Sequence, residues 1–207
     1  MIYQNKLPGK LRVGGHSKGG NLAVYAAAFC NQEVKERIIE VYNNDGPGFF
    51  EEIIETSDYQ KIKNKIHTFI PQTSIIGRML NNDGECTVVK STEIGIYQHS
   101  LYSWQLKGAK FVELQEVTKE SEFIDKTLKT WLKTVDAEQR EKFWKALFEI
   151  LSSTNAETLS QISENWFKNS KIFINTYKNL DDDSRYIINQ TIKSLLSIMK
   201  ENFKAGK

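Results

Sequence analysis

The chain is poor in cysteine and histidine, and this limits the chemistry it can carry. Its two cysteines, Cys30 and Cys86, are too few for a disulfide framework. The three histidines are scattered, and no H-x-x-H or C-x-x-C pattern suggests a metal site. We therefore expect neither a metal nor another cofactor, and a catalytic histidine has few candidates.

Long apolar runs and a strong net charge are also lacking. The longest apolar stretch, Leu22 to Cys30, is far too short to span a membrane, and residues 1–10 lack the apolar core of a signal peptide. The formal net charge is +2 without a concentrated basic patch, which argues against nucleic acid as a partner. A composition with 40% hydrophobic and 26% charged residues is typical of a soluble globular protein. Because we find neither a membrane span nor a signal-peptide core, we expect a cytoplasmic location.

The first half of the chain alternates short apolar runs with helical stretches. This spacing predicts an α/β fold with a parallel sheet of four to five strands, covered by helices on both faces. The predicted strands are 11–14, 38–42, 65–70, 87–91 and, with helix as the alternative, 111–117; the predicted helices are 20–31 and 49–64.

After about residue 118 the apolar residues recur at helical spacing without an interrupting proline. We expect about four amphipathic helices whose aromatic stripes form a core. Asp136 and Asn155 are predicted N-caps, and the run from Asp181 to Asp183 suits the positive end of the last helix. The predicted domains are 1–118 and 119–207. The apolar residues assigned to the core of the last helix are Ile187, Ile188, Ile192, Leu195, Leu196 and Met199.

One motif carries catalytic chemistry. Residues 15–19 read Gly-His-Ser-Lys-Gly and fit the G-x-S-x-G pattern between a predicted strand and an alanine-rich helix. A nucleophilic Ser17 requires a sharp turn there, and Gly15 and Gly19 would leave room for strand and helix to approach. The backbone N–H of Lys18 would then face an oxyanion. A phosphate-binding loop has a different glycine spacing and does not fit.

Residues 14–23 resemble the nucleophile elbow of lipase-like α/β-hydrolases. Together with residues 43–49, 70–77 and 98–99, they look like a bacterial family of uncharacterised hydrolases, sometimes called Mbeg-like and related to the class 3 lipases. The resemblance covers residues 10 to about 160. It implies the carboxy-terminal part of an α/β-hydrolase sheet followed by a helical extension, and serine-hydrolase chemistry without a known substrate.

His99 is the predicted general base. It follows the fourth predicted strand in a loop, where the base of this fold belongs. His16 lies inside the elbow and cannot easily reach back to the neighbouring hydroxyl, and His67 lies in the middle of a predicted strand.

Two aspartates compete for the role of triad acid. Asp45 follows the strand next to the elbow, and the chain order Ser17, Asp45, His99 matches the usual order of the fold. Asp83 is the alternative, although Asp-Gly at this point is also a hairpin signal. We favour Asp45, because a buried carboxylate must hold His99 in the correct tautomer.

These residues predict a serine hydrolase acting on a small-molecule or lipid acyl substrate through an acyl-enzyme intermediate. An acyltransferase would differ only in its acceptor. Ser17 lies close to Met1, so we expect the loop with the second oxyanion donor to precede this chain. The alternative from another class is an inactive, truncated hydrolase domain that binds partners, either as a homo-oligomer or with a missing N-terminal half.

Overall fold

A five-stranded sheet precedes a helical region in the computed structural model, which describes residues 9–153 and 166–205. The described residues up to Asp125 form one unit, and those from Lys126 onward form a second. The strands are β1 (Leu11–His16), β2 (Ile38–Asn44), β3 (Ile66–Pro71), β4 (Cys86–Val89), β5 (Leu106–Lys107), β6 (Lys110–Phe111) and β7 (Glu113–Leu114). The helices are α1 (Lys18–Phe29), α2 (Gln32–Arg37), α3 (Glu51–Ile54), α4 (Ser57–Ile62), α5 (Lys119–Thr134), α6 (Ala137–Ser152), α7 (Trp166–Asn179) and α8 (Asp182–Ala205).

The sheet has the order β1-β2-β3-β4-β7 and is mostly parallel, which confirms the α/β class. The strands β1 to β4 run parallel to one another. The expectation of a purely parallel sheet was wrong for the last strand, because β7 pairs antiparallel to β4. The chain between these two strands holds the β5–β6 hairpin and short 3-10 turns instead of a crossover helix, and an antiparallel neighbour needs no crossover.

The helices α1 to α4 contribute to one hydrophobic cluster with side chains from β1, β2 and β3. The strand residues of this cluster lie on one face of the sheet, since Val13 is the register partner of Val41 and Val41 that of Ile66. The fully buried members are Val24, Ala27, Ala28, Ile38, Val41 and Ile62.

On the opposite face, the first unit presents a series of aromatic rings where covering helices were expected. The Tyr42 ring stacks on His67 with centroids 5.2 Å apart and on Phe69 with centroids 6.5 Å apart. Phe111 then contacts both Phe69 and Trp104, each with centroids 5.4 Å apart. The β5–β6 hairpin therefore contributes to this face through Phe111.

Helix α1 is apolar on both of its sides. Val24, Ala27 and Ala28 pack inward, whereas Leu22, Tyr25 and Phe29 are exposed on the outer side. A surface helix usually carries polar residues on its outer side. The outer apolar side of α1 is therefore an unusual surface of this unit.

The predicted helix over 49–64 is broken into α3 and α4. The break lies at Thr56, whose hydroxyl donates to the carbonyl of Ile53 (2.7 Å) and accepts from the N–H of Tyr59 (3.3 Å). A threonine side chain that binds neighbouring backbone groups favours an N-cap over a helix interior. Thr56 thus ends one helix and caps the next.

In the second unit, Ala146, Leu180 and Ile188 form a small core with partly buried Phe143 and Tyr177. This core joins α6 and α8 with Tyr177, in the last turn of α7, and Leu180, directly after α7. Helix α5 begins at Lys119 and continues past the division between the units.

The N-cap predicted at Asp136 is confirmed, and the Asp181 run lies at the start of the last helix as predicted. Asp136 accepts a hydrogen bond from the N–H of Gln139, and Asp181 accepts one from Ser184, each at 2.8 Å. The predicted N-cap at Asn155 lies outside the described residues.

The predicted core of α8 was partly wrong. Ile188 is buried, but Ile192, Leu196 and Met199 are exposed, and Ile198 is buried instead. Apolar residues lie on more than one side of α8, and only one of these sides packs against other helices, so the remaining apolar residues are exposed. None of the helices in the described part of the chain combines the length and apolar character that crossing a bilayer would require.

Candidate active site

Ser17 occupies a strained turn between β1 and α1. Its backbone has φ 57° and ψ −130°, a conformation that residues other than glycine rarely adopt. Its N–H donates to the carbonyl of Asn44 (2.9 Å), and its own carbonyl accepts from the N–H of Gly20 (2.9 Å). The sharp strand-to-helix turn that the G-x-S-x-G pattern predicts is therefore present, and Lys18 begins the helix.

The close approach of strand and helix depends on Gly15 and Gly20. A Cβ on Gly15 would lie 2.3 Å from the backbone carbonyl of Gly19, and one on Gly20 would lie 2.2 Å from Oδ1 of Asn43. The steric role predicted for Gly19 was wrong, because a Cβ there meets nothing within 4 Å. Gly19 faces outward on the first turn of α1, so the crowding falls on its neighbour.

Asp45 follows β2 and is almost completely buried, with 1% of its surface exposed. Its N–H donates to the carbonyl of Phe69 (2.8 Å), which holds it at the carboxyl edge of the sheet between β1 and β3. Its Oδ1 accepts from the Ser74 hydroxyl (2.5 Å) and from the N–H of Gly77 (3.0 Å). A Cβ on Gly77 would lie 2.4 Å from this oxygen, so glycine is needed for the contact.

The second carboxylate oxygen of Asp45 binds His99. Its Oδ2 lies 2.6 Å from Nδ1 of His99, whose side chain is 13% exposed. Since a carboxylate only accepts hydrogen bonds, Nδ1 carries the hydrogen and Nε2 of a neutral ring keeps the lone pair. This is the tautomer that a general base requires.

Gln98 anchors the loop on which His99 lies. The Gln98 side chain is buried, and its Oε1 accepts a hydrogen bond from the N–H of Thr73 (2.9 Å). The main-chain carbonyl of Gln98 accepts one from the indole N–H of Trp104 (2.8 Å). These bonds anchor the end of the 3-10 turn Gly95–His99, which begins with Gly95 at φ 57°.

Asp83 lies in a different environment. It binds the ammonium of Lys63 (2.7 Å) and the amide of Gln60 (3.2 Å), and the hydrogen bond from Lys63 lowers the pKa of its carboxyl. Of the two candidate acids, Asp45 is the one that the structure brings to His99.

Ser17 shares the carboxyl edge of the sheet with this pair. The chain directly after Asp45 packs on it, since a Cβ on Gly46 would lie 2.4 Å from the carbonyl oxygen of Ser17. Among the described residues, no hydrogen bond joins the Ser17 hydroxyl to the His99 ring. The structure thus brings the three predicted residues to one edge of the sheet, with the Asp45–His99 contact formed and no hydrogen bond between Ser17 and His99.

Three residues of this cluster were not predicted as site residues. Ser74 and Gly77 lie in residues 70–77, which entered the sequence analysis only through the family resemblance. His16 was set aside as a base, yet its Nε2 lies 2.6 Å from the carbonyl oxygen of His99. Burial, followed by the charge of His99, lowers the pKa of His16 below its ordinary value of 6.5.

A cavity lies apart from this cluster. It has a volume of about 370 Å³, opens near the amino ends of β3 and β4, and is lined by polar residues that include Lys63, His67 and Asp83. It shares no lining residue with the Asp45–His99 contact. In the described ranges 9–153 and 166–205, no group of three or more histidine, cysteine or acidic side chains could hold a metal ion.

The comparisons with known proteins identify the family. A family model described as Mbeg1-like matches residues 2–149. Because this match covers more than half of the chain, the chain belongs to the Mbeg1-like family. No curated protein and no solved structure matches it.

Proposed function

We propose that this member of the Mbeg1-like family is a serine hydrolase, with Ser17 as nucleophile, His99 as general base and Asp45 as the acid that orients it. The observation that carries the proposal is the 2.6 Å contact between Asp45 Oδ2 and His99 Nδ1. Asp45 is only 1% exposed and lies at the same edge of the sheet as Ser17, the residue that precedes α1. Nucleophile, base and orienting group in this arrangement are the parts of acyl-transfer chemistry.

In the proposed reaction, His99 Nε2 accepts the Ser17 hydroxyl proton as the serine oxygen bonds to the acyl carbonyl carbon. The carbonyl π electrons move to oxygen, and the N–H of Lys18, at the start of α1, faces the resulting oxyanion. Collapse breaks the bond to the leaving alcohol, which takes the proton from His99. Water then attacks the acyl-enzyme in the same manner and releases the acid.

The open contact between Ser17 and His99 is compatible with this role. Catalytic hydrogen bonds are often long or unformed without substrate and tighten during the reaction. The strain at Ser17 and the fixed tautomer of His99 are features already in place before a substrate binds. We infer that substrate binding completes the arrangement.

The finer assignments rest on the sequence resemblance. We propose an α/β-hydrolase fold related to the class 3 lipases, and esters or similar acyl compounds, including lipids, as the substrate class. An acyltransferase would use the same residues with an acceptor other than water. A bacterial origin, a cytoplasmic location and a homo-oligomer stay predictions.

The deciding experiment is labelling of the purified chain with a fluorophosphonate probe, which phosphonylates an activated serine. We expect labelling of the wild type, none of Ser17→Ala, and normal labelling of Ser57→Ala. Ser57 is a suitable control because it is an exposed serine outside the cluster, at the first position of α4. Mass spectrometry of the labelled peptide would identify the modified residue.

A folded wild-type chain that takes no label would contradict the hydrolase assignment for this chain. The alternative function, binding of partner proteins, would then be better supported, because the outer side of α1 exposes Leu22, Tyr25 and Phe29 together. Labelling that persists in Ser17→Ala would instead place the reactive serine elsewhere.

A further inference from the structure

A second histidine contacts the proposed base. Nε2 of His16 lies 2.6 Å from the carbonyl oxygen of His99, and the two rings pack with centroids 4.4 Å apart at an angle of 38°. His16 is the last residue of β1 and is joined by a peptide bond to Ser17. The same residue therefore adjoins the nucleophile in sequence and the base in space.

The contact fixes the tautomer of His16. A carbonyl oxygen only accepts, so Nε2 of His16 must carry a hydrogen and donate it. Burial is the largest cause of the lowered pKa of His16, and the charge of His99 is the second, while the hydrogen bond to the His99 carbonyl and then the charge of Asp45 act in the opposite direction. The ring is thus neutral near pH 7, with the hydrogen on Nε2 and the lone pair on Nδ1.

We propose that His16 is a positioning residue for His99, an inference that rests on the proposed serine-hydrolase function. Asp45 holds the ring of His99, and His16 holds its main chain. The bonds of Gln98 anchor the turn only as far as the residue before His99, whereas the bond from His16 fixes the main chain of His99 itself and with it the position of Nε2. The bond from His16 ties that position to the strand that carries Ser17, because His16 immediately precedes the nucleophile.

The neutral state of His16 is part of this role. When His99 accepts the Ser17 proton it becomes a cation, stabilised by Asp45. A positive charge on His16, with its ring 4.4 Å away, would oppose that protonation. Besides burial, the titratable groups that act on the charge of His16 are His99 and Asp45.

Two substitutions separate the hydrogen bond from the ring packing. His16→Phe keeps a flat ring against His99 but has no donor, whereas His16→Gln keeps an N–H at a similar reach. We expect the rate of fluorophosphonate labelling to fall about tenfold in His16→Phe, the effect of losing one hydrogen bond, and to stay within about threefold in His16→Gln. His67→Gln is the matched control, since His67 is exposed at the second position of β3, and the substitution should leave the rate unchanged.

An ¹⁵N NMR measurement of the three histidines tests the proposal without relying on activity. We expect His16 of the wild type to be neutral at pH 7 with its hydrogen on Nε2, and the Nδ1–H signal of His99 to exchange faster in His16→Phe than in His16→Gln. A merely structural role for His16 would not predict this rescue by glutamine.

Failure of the inference and failure of the proposed function give different results. A labelled wild type whose rate stays within twofold in His16→Phe would overturn the positioning role alone. A His16 ring that is charged, or carries its hydrogen on Nδ1, at pH 7 would overturn it even where His16→Phe fails to fold. An unlabelled wild type would reject the hydrolase function, and the anchoring of His99 would then have to show in the NMR comparison or be rejected too.

Discussion

The most informative single change is Asp45→Asn, because it keeps the shape of the side chain and alters only what it offers to His99. The amide oxygen of the new side chain can still accept from the Ser74 hydroxyl and the N–H of Gly77, as Asp45 Oδ1 does at 2.5 and 3.0 Å. The amide nitrogen then takes the place of Oδ2, 2.6 Å from Nδ1 of His99. It can only donate, so His99 must accept on Nδ1 and carry its hydrogen on Nε2.

The size of the effect follows from this tautomer change. A histidine protonated on Nε2 cannot accept the Ser17 proton, and the loss in a triad of this kind is on the order of 10³- to 10⁴-fold. That factor corresponds to about 4 to 5.5 kcal/mol of transition-state stabilisation. The folded state should lose much less, about 1 to 2 kcal/mol, because the two bonds to the amide oxygen remain although the charge is gone.

The assay compares second-order labelling rates with a fluorophosphonate probe, together with urea unfolding to confirm that each variant is folded. Asp83→Asn is the matched control, since Asp83 has the same chemistry but binds Lys63 and Gln60 instead of His99. We expect its labelling rate to stay within twofold of the wild type. A folded Asp45→Asn that is labelled within threefold of the wild type would refute the role of Asp45. The same outcome with a large loss in Asp83→Asn would transfer that role to Asp83.

Three further predictions concern stability and are measured by urea unfolding. Gly15→Ala should lower the free energy of unfolding by about 3 kcal/mol, because its Cβ would lie 2.3 Å from backbone atoms. Gly19→Ala should leave the free energy of unfolding unchanged, because its Cβ would meet nothing within 4 Å, and equal losses in the two variants would contradict the assigned crowding. The pKa of His16 is lowered in the folded protein, so the unfolded chain binds a proton first as the pH falls, and the wild type should lose more stability between pH 7 and 5 than His16→Gln does. Asp58→Ala leaves the Lys35 ammonium, on a 6% exposed side chain, without its carboxylate and should lower the free energy of unfolding. Adding Lys35→Met should recover most of the loss, and no recovery would show that the pair is not the cause.

Local patterns were sufficient for the elements around Ser17. The predicted strands 11–14 and 38–42 correspond to β1 and β2, and the predicted helix 20–31 overlaps α1. Short apolar runs followed by glycine-rich turns carry this information within a few residues. The fifth strand was harder to predict, because the run 111–117 is divided between β6, which contains Phe111, and β7, in which only Glu113 and Leu114 pair with the main sheet. The direction of β7 depends on a distant partner.

The contacts that complete the site depend on residues far apart in the chain. Ser74 and Gly77 reach Asp45 across about thirty residues, and His16 reaches His99 across more than eighty. No local periodicity carries such pairings, since they arise when neighbouring strands end at the same edge of the sheet. The Gly19 error has the same origin, because only the packing of α1 on the sheet decides which glycine is crowded.

The choice between the two acids shows what strand direction adds to a local pattern. Asp45 and Asp83 are both followed by glycine, and as local turns they are equivalent. Asp45, however, comes after β2, whereas Asp83 comes before β4. In parallel strands these positions lie at opposite edges of the sheet, and Ser17, which comes after β1, lies at the edge of Asp45. A carboxylate that precedes a parallel strand cannot orient a base at the carboxyl edge, so the order of aspartate and strand in the sequence already favours Asp45 once the strands are taken as parallel.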